Sequence, residues 1–154
     1  MELTQLVSPT SVKLVNKVTS KKRLFQILGE VAHAAYGMNI DDTVDALIER
    51  ESLGPTGVGH GVAMPHARMA KIDGVVGAFV KLETPLDFGA PDRKGVDLVF
   101  ALFAPTGAGA EHLKALALAS RTMRDTTLCD RLRANADPAT LHALLTNGPA
   151  SQAA

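Results

Sequence analysis

The sequence has a single cysteine, Cys129, one tyrosine and no tryptophan among its 154 residues. One cysteine excludes an internal disulfide, and the scarcity of aromatic residues leaves no obvious platform on which nucleic-acid bases could stack. Lysines and arginines number 16, as do aspartates and glutamates. No excess charge of either sign therefore favours nucleic acid or an anionic membrane as a partner.

Long hydrophobic runs are also absent. The apolar run at residues 98–105 is far too short to cross a bilayer, and the start Met-Glu-Leu-Thr-Gln lacks the basic and apolar regions of a secretory signal. We therefore expect a soluble, cytoplasmic protein without membrane insertion. The length, the 46% of hydrophobic residues and the absence of repeats or linkers predict one domain over residues 1–154, with a frayed tail at 149–154.

The first third of the chain is mainly helical in pattern. The segment up to Thr19 has no clear periodicity, except that residues 12–14 alternate as a short strand would. From Ser20, a plausible N-cap, apolar residues recur at three- and four-residue spacing until Gly37, which is typical of a helix end. The spacing predicts a core-facing helix between these two residues.

A second helix is predicted to open at Asp41 or Asp42, because carboxylates suit a helix N-terminus. The pair Gly54-Pro55 ends it. Arg50 lies in the last turn, close in sequence to the glycine-rich stretch that follows. The residues expected to face the core are Val44, Leu47 and Ile48.

Two short apolar runs, 75–82 and 96–103, predict strands that are buried on both faces. Turn residues separate them, at Thr84-Pro85 and at 89–92, so the two strands are expected to be connected neighbours.

The last third of the chain is again helical. A small-residue loop at 105–109 precedes a helix expected to begin near Ala110, and two shorter helices are expected at 127–133 and from Asp137 to about Thr146. The residues placed on one face of the first of these helices are Leu113, Leu116, Ala117 and Met123. Helices that alternate with strands predict an α/β domain with a small mixed sheet flanked by helices.

The most distinctive stretch is Gly-Val-Gly-His-Gly-Val-Ala-Met-Pro-His-Ala-Arg at residues 57–68. Glycines allow turns and close backbone approach, and Pro65 biases Met64 towards an extended conformation. We expect His66 to lie just after a short strand, at a sharp exit facing a cleft, and to be followed by a brief irregular piece.

Phosphoryl transfer is the chemistry that these residues suit. Neutral imidazole is a nucleophile that can accept a phosphoryl group without a separate base. Arginine, backbone N–H groups and helix N-termini compensate the charge of the phosphoryl oxygens. The sequence offers Arg50, the backbone at Gly57 and Gly59, and a helix start that carries His112.

Simpler roles remain open for the same residues. His66 can be an ordinary loop residue, His112 a partly exposed helix residue, and Arg50 a cation favoured by the helix dipole. A metal site would need His60, His66 and His112 to converge, and no zinc-type spacing is present. No Gly-x-Ser-x-Gly motif or Walker loop occurs either, so no metal or cofactor is expected.

The same residues resemble a known family. The motifs are Leu-Ile-Glu-Arg-Glu at 47–51, Gly-Pro-Thr-Gly-Val-Gly at 54–59 and Gly-Val-Ala-Met-Pro-His at 61–66. They resemble the active-site signature of the type-2 enzyme IIA domains of the bacterial phosphoenolpyruvate-dependent phosphotransferase system, the fructose/mannitol class. The resemblance continues through residues 82–88, 96–102 and 111–116.

The resemblance implies specific roles. His66 is expected to be phosphorylated by the carrier HPr or its nitrogen-branch counterpart, while His112 and Arg50 stabilise the phosphoryl group. Phosphoryl-binding groups are expected at Thr56, Gly57 and Gly59.

Within the family, residues 87–92 and 96–102 are most similar to the nitrogen-regulatory enzyme IIA. That similarity implies a regulatory switch that acts on partner proteins. Two alternatives remain: a stand-alone sugar-specific enzyme IIA that passes its phosphoryl group to a IIB component, and a non-catalytic protein-binding module. The oligomeric state stays open.

Overall fold

The computed structural model describes residues 1–147, so the predicted frayed tail at 149–154 lies outside the described residues. Its centre is an antiparallel pair, β5 (Val76–Leu86) and β6 (Val96–Pro105), in which Phe79 is opposite Phe100. This pair confirms the two predicted buried strands and their connection.

Four further strands complete a six-stranded sheet in the order β1-β5-β6-β3-β2, with β4 also paired to β6. Strand β1 (Val12–Val15) runs parallel to β5, and β2 (Gly57–Gly59) is antiparallel to β3 (Val62–Ala63). Strands β3 and β4 (His66–Met69) both run parallel to β6. The predicted mixed sheet flanked by helices is confirmed.

The helices cover both faces of the sheet. Because side chains alternate along a strand, Val99 and Phe103 of β6 contact one helical layer and Phe100 the other. The first layer consists of α2 (Lys21–Tyr36) and α3 (Ile40–Ser52). The second layer consists of α1 (Leu3–Leu6), α4 (Gly109–Met123), α5 (Thr126–Arg133) and α6 (Pro138–Thr146).

Local caps explain where the first long helices start and stop. The Ser20 hydroxyl accepts the N–H of Arg23 at 3.1 Å, and Gly37 ends α2 with φ at 72°. Helix α3 begins slightly earlier than predicted, because the side chain of Asn39 accepts the N–H of Asp42 at 2.9 Å and is therefore the N-cap.

The predicted inward faces were partly wrong. Ile48 is 37% exposed, and on α4 Leu113 is 68% exposed and Ala117 is also exposed. In an alanine-rich helix, apolar residues lie on several faces, so their spacing alone does not identify the face that is buried. The sheet selects the face with small residues, which lets the helix approach closely; its buried residues are His112, Ala115, Ala119, Thr122 and Met123.

Three segments are more regular than the sequence predicted. The N-terminal segment contains α1 and a 3₁₀ turn, Pro9–Ser11, and the stretch after His66, expected to be irregular, is strand β4. Thr84-Pro85, predicted as a turn, lies within β5 near a register irregularity between Lys81 and Leu86, where proline is tolerated in sheets.

A lysine lies in the middle of β5. Lys81 is only 4% exposed, and its ammonium donates to the carbonyls of Arg133 at 2.8 Å and Asn135 at 2.5 Å. It thereby satisfies carbonyls at the C-terminus of α5, where a cation is also favoured by the helix dipole.

Among the described residues, no helix combines the length and apolar character that a membrane span requires.

Candidate functional site

Arg50 lies at the C-terminus of α3, and its guanidinium contacts the imidazole of His66. Its Nη1 donates to the carbonyl of Gly54 at 2.9 Å, and its Nε donates to Nε2 of His66 at 3.2 Å. The turn after α3 brings Gly54 back, since the Gly54 N–H donates to the carbonyl of Glu51 at 3.2 Å. The guanidinium is therefore oriented by the end of its own helix.

His66 is the first residue of β4 and is half-buried. The sequence placed it just after a short strand at a sharp exit, and this is wrong in detail: β3 ends at Ala63, and after a two-residue break His66 opens the next strand. Pro65 has no N–H to donate to a neighbouring strand, which explains the break. Its carbonyl still accepts the N–H of Leu102 at 3.0 Å, so the chain stays beside β6.

The contacts of His66 select one tautomer. The guanidinium of Arg50 can only donate, so His66 Nε2 is the acceptor and carries a lone pair. The proton is therefore on Nδ1, which lies 3.0 Å from the carbonyl of Met64 and donates to it. The nitrogen that carries the lone pair therefore faces the guanidinium.

His112 lies near the start of α4 and contacts His66 edge to face, with 5.8 Å between the ring centroids. It is only 6% exposed, so the partly exposed helix position considered above is not what the fold provides. Burial lowers the pKa of His112 below its ordinary value, and electrostatic interactions with the neighbouring His66 and Arg68 lower this pKa further. Within residues 1–147, its buried Nε2 has no hydrogen-bond partner.

A hollow of about 280 Å³ opens beside His66. Its lining includes Arg50 and Thr56, and Leu116 and Ser120 of α4. The hollow is small, which suits a phosphoryl group better than a larger organic substrate.

Glu51 is a site residue that the sequence analysis missed. Its side chain is 7% exposed and accepts both the N–H and the hydroxyl of Thr56, at 3.0 and 2.6 Å. Lys21 on α2 donates to the same carboxylate at 2.8 Å, and its ammonium lies 4.7 Å from the centre of the Phe88 ring. The signal in the sequence was the acidic residue directly after Arg50.

The remaining predicted residues lie in the β2–β3 hairpin. Gly57 is buried, and a Cβ there would lie 3.1 Å from Cβ of Ala90. Gly59 has φ at 94°, and His60 is exposed, with its N–H donating to Asp92 at 2.8 Å. No group of three or more His, Cys, Asp or Glu side chains that could hold a metal ion occurs in the described part of the chain.

Known proteins share this arrangement of elements. Residues 5–148 match the family described as phosphoenolpyruvate-dependent sugar phosphotransferase system, EIIA 2. A nitrogen regulatory protein of Bradyrhizobium diazoefficiens is 42% identical over 153 residues, which cover 99% of this chain and 100% of that protein.

Solved structures agree with the sequence comparison. The crystal structure of nitrogen regulatory protein IIA-Ntr from Neisseria meningitidis superposes with a TM-score of 0.86 at 33% identity, over 94% of this chain and 99% of that one. A complex of enzyme IIAMTL and phosphorylated enzyme IIBMTL from Escherichia coli gives a TM-score of 0.75 at 19% identity, covering 92% and 97%, and this likeness concerns the fold alone. The chain therefore belongs to the EIIA type-2 family of the phosphoenolpyruvate-dependent sugar phosphotransferase system.

Proposed function

We propose that this protein accepts a phosphoryl group on His66 from an HPr-type phosphocarrier and acts as a regulatory switch of the nitrogen-related phosphotransferase branch. The observation that carries the proposal is the hydrogen bond from Arg50 Nε to His66 Nε2, at 3.2 Å. It holds a cation beside the nitrogen that carries the lone pair.

In the proposed step, His66 Nε2 attacks the phosphorus of the donor phosphohistidine. The new Nε2–P bond forms while the donor's N–P bond breaks, and the bonding pair returns to the donor imidazole. His66 keeps its Nδ1 proton, which the carbonyl of Met64 accepts at 3.0 Å. That contact stabilises the positive charge that develops on the ring.

Two groups support the proposal as partners for the phosphoryl oxygens. Arg50 can turn its N–H groups from the nitrogen to the incoming oxygens, as arginine does in other phosphoryl-transfer sites. His112 Nε2 is buried without a partner in the described residues, and an unsatisfied buried polar atom costs about 1–3 kcal/mol. A phosphoryl oxygen would supply the missing partner.

The glycine-rich segment has a less direct role. Both donors of Thr56 are bonded to Glu51, so a phosphoryl contact there would require those bonds to be exchanged. Phosphoryl binding by Thr56, Gly57 and Gly59 therefore stays a prediction, tested by whether their backbone N–H resonances shift on phosphorylation.

The regulatory assignment rests on similarity. A relative named a nitrogen regulatory protein is 42% identical over almost the whole chain, whereas the mannitol protein IIAMTL is 19% identical. We place the protein in the cytoplasm, together with the phosphocarriers. We expect its partners to distinguish the phosphorylated from the unphosphorylated form, because phosphorylation adds about two negative charges.

Intact mass spectrometry tests the phosphorylation directly. The protein is incubated with phosphoenolpyruvate, enzyme I and HPr-type carriers, and its mass is read at neutral or alkaline pH, because phosphohistidine is acid-labile. One added phosphoryl group is expected in the wild type and in His60→Asn, which changes an exposed histidine in the same segment. None is expected in His66→Ala, and equal phosphorylation of that variant would refute the proposal.

The sugar-specific alternative is supported by the shared fold with IIAMTL, which was solved with phosphorylated IIBMTL, and by a fructose-specific EIIA component of Haloferax volcanii that is 29% identical over 136 residues. Incubating the phosphorylated protein with fructose- and mannitol-type IIB domains separates the two functions. The regulatory assignment predicts no transfer to either domain on the timescale of loading, and rapid transfer would favour the sugar-specific function.

A further inference from the structure

We infer that Glu51 and Thr56 are positioning residues that set the tautomer and orientation of His66 through a series of hydrogen bonds, which the covalent bond between Arg50 and Glu51 closes into a ring. The ring runs from Glu51 to Thr56, Met64, His66 and Arg50, and returns to Glu51 through the chain. We refer to it as the Glu51–Thr56 ring. The inference concerns the site of the proposed function, and its rate measurement rests on that function.

The first part of the ring is the double contact between Glu51 and Thr56. One carboxylate oxygen accepts the Thr56 hydroxyl at 2.6 Å and the other accepts the Thr56 N–H at 3.0 Å. With its side chain 7% exposed, this carboxylate is nearly removed from water, and Lys21 pairs with it at 2.8 Å. The position of Thr56 is thereby fixed relative to the end of α3.

The second part passes through the backbone of Met64. The Thr56 carbonyl accepts the Met64 N–H at 3.0 Å, and the Met64 carbonyl accepts Nδ1–H of His66, also at 3.0 Å. Both polar groups of Met64 are thus engaged. Its carbonyl holds the proton on Nδ1 and leaves Nε2 as the lone-pair nitrogen.

Arg50 closes the ring because it directly precedes Glu51 in the last turn of α3. Its Nε contacts the other imidazole nitrogen, Nε2, at 3.2 Å. Arg50 therefore contacts one nitrogen of His66 directly, and the adjacent Glu51 is connected to the other nitrogen through Thr56 and Met64. Phosphoryl transfer requires a lone pair aimed along the line of attack, and small misplacements of a reacting group slow such steps severely.

Nitrogen-15 NMR of the imidazole reads the tautomer directly in the unphosphorylated protein. The wild type is expected to hold its proton on Nδ1 of His66. Thr56→Val removes the hydroxyl and Glu51→Gln removes the charged acceptor, and both are expected to give a mixture of tautomers. Thr56→Ser keeps the hydroxyl and is expected to retain the wild-type pattern.

Two controls separate the ring from a general loss of structure. Glu49→Gln neutralises an exposed carboxylate on the same helix, and Thr43→Val removes a buried hydroxyl that donates to the carbonyl of Asn39 at 2.7 Å. Both are expected to keep the Nδ1–H tautomer of His66.

Single-turnover phosphorylation is then measured at saturating carrier. Thr56→Val and Glu51→Gln are expected to be about ten- to a hundredfold slower in the transfer step, with an unchanged half-saturating carrier concentration. Thr56→Ser is expected to be within twofold of wild type.

The inference is overturned if the wild type protonates Nε2, or if Thr56→Val and Thr56→Ser give the same tautomer and rate. If the wild type accepts no phosphoryl group, the proposed function fails, while the tautomer pattern still decides whether the ring positions His66.

Discussion

The imidazole rings of His66 and His112 meet edge to face, with 5.8 Å between their centroids and 64° between their planes. They come from different secondary structures, the start of β4 and the first turns of α4. His112 is the more buried of the two, and burial is the main cause of its lowered pKa. A charge change on one ring must therefore affect the other.

Phosphorylation of His66 is expected to raise the pKa of His112. In the unphosphorylated protein, burial and then electrostatic interactions with His66 and Arg68 oppose protonation of His112. A phosphoryl group adds about two negative charges beside the ring and favours the charged imidazolium. Proton NMR titration of the ring in both forms measures the shift. The exposed His33 is the internal control, and an equal pKa of His112 in the two forms would contradict the expectation.

The lowered pKa of His112 also predicts how stability depends on pH. Above the ordinary histidine pKa of about 6.5, His112 is neutral in both the folded and the unfolded state. In this range its titration takes nothing from the free energy of unfolding. Below that pH the unfolded chain binds a proton that the folded state resists, so stability is lost until the pH reaches the folded pKa.

Urea unfolding at pH 7.5 and pH 5.5 checks this sign. His112→Gln is expected to lose less free energy of unfolding than the wild type between the two pH values, whereas His60→Asn, an exposed histidine, keeps the wild-type difference. If His112→Gln lost as much free energy of unfolding between pH 7.5 and pH 5.5 as the wild type, His112 would not be the cause of the pH dependence.

Replacement of Arg50 should slow phosphorylation without unfolding the protein. Arg50→Gln loses the guanidinium that contacts His66 at 3.2 Å, and the loss of one such transition-state donor costs about 10²–10³ in rate. Single-turnover transfer from the carrier measures it. Arg23→Gln, an exposed arginine on α2, serves as the control, and equal rates for the two variants would remove Arg50 from the mechanism.

Lys81 is expected to stabilise the fold through the carbonyls of Arg133 and Asn135. Lys81→Met leaves partly buried acceptors without their donor and should lower the free energy of unfolding by about 1–3 kcal/mol. Denaturant unfolding measures the change against Lys13→Met, which replaces an exposed lysine on β1. Similar midpoints for the two variants would mean that the buried ammonium contributes no net stability.

Local pattern was sufficient for much of the fold. The apolar spacing between Ser20 and Gly37 predicted α2 correctly, and the helix predicted from Asp137 to about Thr146 corresponds to α6. The apolar runs of β5 and β6 predicted the central pair. These features depend on neighbouring residues, so periodicity and capping residues are enough to identify them.

The sequence by itself also determined the chemical groups of the candidate site: a histidine after Pro65, an arginine at the end of a helix and a second histidine near the start of another. Only the tertiary structure decided how they meet. It buries His112 because α4 packs its small-residue face on the sheet.

Tertiary structure likewise engages Thr56 with Glu51 and buries Lys81 against the end of α5. Lys81 and Arg133 lie 52 residues apart in the chain, and Glu51 and Thr56, only five residues apart, meet across a turn that has no regular periodicity. Local periodicity carries no information about such contacts, because the free energy of burial and hydrogen bonding is set by whichever surfaces the whole fold brings together.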